Sequence, residues 1–152
     1  MKFMCPLVTV EDIARARGFY EGALGCEVKD DLGVNVCFKG DFAIHLRSHF
    51  AELIDGRRIV ARHNNGELYF ESDELGAIEA RLESRGAEFL HPIREQPWRQ
   101  RVMRVYDPDG NIVEIGETMK GLCERLRAEG LSNREISSAI GFGEAAVEGF
   151  LA

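Results

Sequence analysis

A repeat constrains this chain more than any other feature. The stretches "CPLVTVEDIARARGFYEGALGCEV", from Cys5, and "ELYFESDELGAIEARLESRGAEF", from Glu67, each run strand, helix, strand. In the first copy Ile13, Ala16, Tyr20 and Leu24 recur at helical spacing and Gly25 stops the helix. In the second, Leu75, Ile78 and Leu82 do the same before Gly86, with Ser72 as the expected N-cap and Asp73 and Glu74 in the first turn. Short β-like segments follow each helix: "CEVKD", "GVNVCFK" and "FAIHLRS", then "AEFLHP", "RVMRVY" and "NIVEIGE". The pattern predicts an α+β chain of two tandem βαβββ modules, residues 1–48 and 65–117. The connection 49–64 lacks a strand period and has room for one helical turn.

Aligning the copies places His45 of "FAIHL" and Glu114 of "IVEI" at equivalent positions in their last strands. Because strand side chains alternate, Glu114 shares a face with Ile112. A symmetric turn at "DPDG" sets Met103 opposite Glu114 and Val105 opposite Ile112, so one face reads Arg101, Met103, Val105, Ile112, Glu114. An acid in such company binds a metal, pairs with a cation or stays protonated, because an isolated buried charge costs too much. The segment "HPIREQPWRQR" holds the only tryptophan, so Trp98 and Arg101 read either as an aromatic platform and anion clamp or as a surface loop. His49, His63 and His91 find no partner in the sequence and read as structural or exposed.

With "DIARARGFY" early and "YDPDGNIVEI" late, the chain resembles the vicinal oxygen chelate superfamily of glyoxalases, bleomycin-resistance proteins and extradiol dioxygenases, over residues 1–117. The resemblance implies that the modules form a curved mixed half-barrel sheet around a divalent metal. Carried over by position, its ligands are Cys5, His45, Glu67 and Glu114, although Cys5 and Glu67 stand where glyoxalases usually carry His. Donors of these types suit Zn, Mn, Ni or Fe, and no organic cofactor is expected. The same residues have plainer readings: Cys5 as a small buried hydrophobe, His45 as a satisfied core residue, Glu67 as an exposed strand start. The implied function is metal-assisted proton transfer, isomerisation or lyase chemistry on an oxygen-bearing metabolite, with Glu114 and Glu67 moving the proton. The alternative is a metal-free drug- or antibiotic-binding protein of the bleomycin-resistance type. In either case Trp98, Arg101 and Met103 would line the pocket, and a homodimer is expected by resemblance.

A formal charge of -7 works against phosphate neutralisation, so small molecules rather than nucleic acids are the expected partners. No apolar run reaches the roughly 20 residues of a membrane span. The four cysteines form no CxxC pair and no signal peptide opens the chain, which points to a cytoplasmic protein with free thiols. After residue 117 the pattern turns helical, with a capping box at Ser132 and Glu135 and apolar Leu122, Leu126, Ile136, Ile140, Val147 and Phe150. Residues 118–152 are expected to form a small helical appendage. Its last helix, with acids and no Lys or Arg, is unsuited to a major groove.

Overall fold

A computed structural model describes all residues, Met1–Ala152. The chain divides into two compact units: residues 1–67, 81–88 and 106–112 in the first, and residues 68–80, 89–105 and 113–152 in the second.

The first unit is built on β1 (Leu7–Val10), α1 (Ile13–Tyr20), β2 (Val28–Asp31), β3 (Asn35–Phe38) and β4 (Phe42–Leu46). Its four strands lie in the order β1-β4-β3-β2, with β1 parallel to β4 and the rest antiparallel. Asp12 opens α1 by accepting from the Arg15 N–H. The helix brings buried Tyr20 against Phe38 and Phe42, ring centroids 5.7 and 5.5 Å away, and these two stack at 4.7 Å. Strand alternation then sends Asn35 and Cys37 of β3 and His45 of β4 to the opposite face. Thr9, His45 and Asn35 form one row across three strands, and Leu7, Ala43 and Cys37 form the next.

Directly after β4 comes α2 (Arg47–Leu53), two turns long where room for one was expected. It has no side-chain cap, so the sequence carries no start signal for it.

The second module repeats the plan with β5 (Glu67–Glu71), α3 (Leu75–Ser84), β6 (Phe89–Glu95), β7 (Arg101–Tyr106) and β8 (Ile112–Gly116), its strands ordered β5-β8-β7-β6. The second helix begins after the predicted acids, and Ser72 Oγ accepts from the Glu74 N–H at 3.1 Å. Edge strand β6 runs past Pro92, absorbing it in the second of two register shifts, between His91 and Arg94.

The expected β7–β8 register is wrong by one residue. The Asp107 N–H bonds the Asn111 carbonyl and the Glu117 N–H bonds the Arg101 carbonyl, a register that sets Arg104, not Met103, opposite Glu114. The Asp107 carboxylate causes the shift: its Oδ1 accepts from the N–H groups of Asp109 and Asn111, widening the turn. One residue of slip exchanges the faces of β7. Met103 and Val105 therefore lie on the face opposite Glu114, both fully buried.

The second unit ends in α4 (Met119–Ala128), α5 (Asn133–Ile140) and α6 (Glu144–Leu151). Leu122, Cys123, Leu126, Ile136, Ile140 and Val147 form a core of their own, with Phe150 packed against it. The capping box of Ser132 and Glu135 opens α5, and Gly141 ends it at φ +78°, a conformation natural to glycine. Arg125 of α4 ties these helices to the sheet, donating to Glu117 at 2.7 Å and to the Arg99 carbonyl at 2.7 Å.

Candidate functional site

On the face opposite the aromatic core, the first unit carries a directed hydrogen-bond chain. Cys37 Sγ donates to Asn35 Oδ1 at 3.4 Å, which turns the Asn35 amide nitrogen toward His45. That nitrogen donates to His45 Nδ1 at 2.9 Å. A neutral imidazole holding an acceptor at Nδ1 carries its proton on Nε2, and His45 Nε2 passes it to His49 Nδ1 at 2.8 Å. The two rings lie 5.1 Å apart and within 5° of parallel. His49 in turn keeps its proton on Nε2, which has no protein partner. All donors run one way, so each bond polarises the next.

Electrostatics favour the neutral forms of His45 and Cys37. Burial first, and the neighbouring His49 second, push the His45 pKa below its ordinary 6.5. Burial, with Cys5 adding to it, pushes the Cys37 thiol up, so Cys37 remains a donor. A cavity of about 250 Å³ is lined by Leu7, Thr9, Arg47, Phe50 and Val60; neither His45 nor His49 lines it, but two of their neighbours, Thr9 and Phe50, do. Thr9 is the strand neighbour of His45, and the Phe50 ring meets His45 edge-on at 5.7 Å. Arg47 Nε is buried there without a partner. Helix α2 thus presents two N–H donors, Arg47 Nε and His49 Nε2, with no acceptor from the protein.

Glu114, in the second unit, has met the second of its three fates. It is 5% exposed and forms an ion pair with Arg104. His91 completes the group: its Nδ1–H donates to the Pro92 carbonyl at 2.9 Å, leaving Nε2 to accept from Arg104 at 3.3 Å. Arg104, rather than Arg101, is the cation, because of the register. Trp98 is 42% exposed and donates to Gln100, whose amide bonds the Tyr69 hydroxyl at 2.7 Å and the Glu117 carbonyl at 2.8 Å. Arg101 is exposed.

A divalent metal does not fit these donors. No three His, Cys, Asp or Glu side chains gather as a metal site requires. Both nitrogens of His45 are engaged, and Glu114 is committed to Arg104. Cys5 is a half-buried free thiol ahead of β1, and Glu67 is exposed at the first residue of β5.

Three members of the histidine chain escaped sequence reading. Asn35 and Cys37 look like ordinary strand residues, and His49 pairs with His45 only because α2 begins immediately after β4. The spacing of four between the histidines was the one available signal.

Residues 3–120 match the glyoxalase-like domain family. A protein of unknown function from Agrobacterium tumefaciens str. C58 is 37% identical, with 78% of this chain and 94% of that chain covered and a TM-score of 0.70. A member of the glyoxalase/bleomycin resistance protein/dioxygenase superfamily from Sphaerobacter thermophilus is 24% identical over 78% of this chain and 98% of its own, TM-score 0.59. Lactoylglutathione lyase from Agrobacterium tumefaciens is 22% identical over 77% and 94%, TM-score 0.56, a likeness of fold alone. No curated protein matches the chain. With more than half of its length matched and its strand order repeated in both modules, the chain belongs to the glyoxalase-like domain family.

Proposed function

We propose that this protein binds a small oxygen-bearing metabolite beside α2 and promotes proton transfer next to its carbonyl, with His49 Nε2–H polarising the oxygen. The observation that carries this reading is the one-directional chain from Cys37 through Asn35 and His45, which ends on an unpartnered donor. A neutral imidazole N–H donating to a carbonyl oxygen stabilises the negative charge that develops there when the adjacent C–H ionises. The proton leaves to solvent, the oxygen carries enolate charge while hydrogen-bonded to His49, and reprotonation at carbon completes the exchange. Arg47 Nε, two residues earlier on α2, supplies a donor in the wall of the neighbouring cavity.

Deuterium exchange in D2O, followed by NMR over a panel of small 2-oxo acids and hydroxyketones, tests this directly. With chelator present, the wild-type chain is expected to catalyse exchange on at least one member, and His49→Phe to slow it about 100-fold, within the range of a positioned acid–base or electrophilic group. Exchange that appears only on adding a divalent metal, or that survives in His49→Phe, would overturn the reading.

A further inference from the structure

The first unit contains a second and larger cavity, about 440 Å³, that shares no lining residue with the one lined by Thr9 and Phe50. That volume falls within the usual range for small-molecule sites. Its polar wall carries Arg15, Arg62 and Arg85 together with two carboxylates, Glu88 and Asp107.

The three arginines are not equivalent. Arg15 donates to Asp109 at 2.8 Å, and Arg62 holds Glu88 through two bonds of 2.8 and 2.5 Å while lying 4.4 Å above the Tyr106 ring. Arg85 has no carboxylate. Its one contact is a 3.1 Å bond to the Gly18 carbonyl near the end of α1. Gly22 leaves room for this placement, since a Cβ there would stand 2.9 Å from the guanidinium nitrogen. The guanidinium is therefore held at the cavity by one bond and retains donors for a second partner. Apolar side chains, Phe19, Ala23, Leu82 and Pro108, complete the wall.

We propose that this cavity binds a small organic monoanion, an aromatic or short acyl carboxylate, with Arg85 pairing the carboxylate and the apolar wall taking its body. Arg15 and Arg62 already hold carboxylates, so the one guanidinium left for a ligand is that of Arg85, which a single carboxylate satisfies. The site is distinct from the proposed chemistry at His49 and does not depend on it.

NMR titration of the full chain with benzoate, and with benzamide as its neutral counterpart, tests the assignment. Benzoate is expected to shift the Gly86 and Ala87 amides saturably and to bind at least tenfold more tightly than benzamide. Arg85→Gln is expected to remove that preference and Arg85→Lys to keep part of it, with amide spectra away from the cavity unchanged. Benzoate binding should be unaltered in His45→Gln, and its loss there would place the anion at the other cavity. Equal binding of the two probes, no saturable shift with benzoate, or a preference that survives Arg85→Gln would also overturn the proposal.

Discussion

His45 and Glu114 occupy equivalent positions in the last strands of two modules with the same strand order, yet their surroundings solve opposite problems. Around Glu114 the partner is charged: Arg104 pairs with it, and His91 accepts from Arg104. Around His45 they are neutral: an amide donates to one nitrogen and an imidazole accepts from the other. Both side chains are buried, at 5% and 7% exposure. The second module has thus spent its polar residue on a closed ion pair. In the first, a directed hydrogen-bond chain still ends in a free donor. A repeated fold equalises positions, and the partners one strand away decide whether a position stays open to a ligand.

The largest expected effect comes from breaking the closed side. Arg104→Ala strands a buried carboxylate and is expected to cost about 3–5 kcal/mol in chemical denaturation. Replacing Arg104 and Glu114 together by apolar residues of similar volume should recover most of that loss. If the single variant were nearly neutral, Glu114 would not depend on Arg104, and the contrast between the modules would fail.

Asn35→Ala probes the open side. It removes the donor that fixes the His45 tautomer and is expected to cost only about 1 kcal/mol, read by the same denaturation. Its greater consequence should be mixed protonation at His45 Nδ1 and Nε2.

The smallest effect is the pH dependence of stability. Folded His45 titrates below its ordinary 6.5, so as pH falls from that value the unfolded chain takes up a proton that the folded chain resists. Stability contributed by neutral His45 is present above 6.5 and lost as pH falls toward the lowered folded value. Comparing denaturation of the wild-type chain with His45→Gln should show a shallower loss in the variant over that window.

Much of this molecule is written in local sequence. The two modules follow from helical spacing, although α1 ends at Tyr20, short of Leu24 and Gly25, and the tail core follows from Leu122, Leu126, Ile136, Ile140 and Val147. The site was harder to read for two physical reasons. First, the Asp107 side chain widens a turn that its backbone signals show as tight, and one extra residue exchanges Met103 for Arg104 beside Glu114. Second, the histidine chain crosses two strands and an uncapped helix, so none of its bonds leaves a periodic trace. Only the repeat singled out His45, and what it bonds to depends on where β3 and α2 lie.

Protonation at His45 is the most direct test of the open side. Two-bond 1H–15N correlation spectra of the imidazoles, recorded from pH 5 to 8 with chelator and again with stoichiometric zinc, report the tautomer and charge of each ring. The expected result is a neutral His45 at pH 7, protonated at Nε2, with His49 also protonated at Nε2 and neither changed by zinc. A His45 protonated at Nδ1, a charged ring at pH 7, or loss of the Nε2 proton on adding zinc would contradict it.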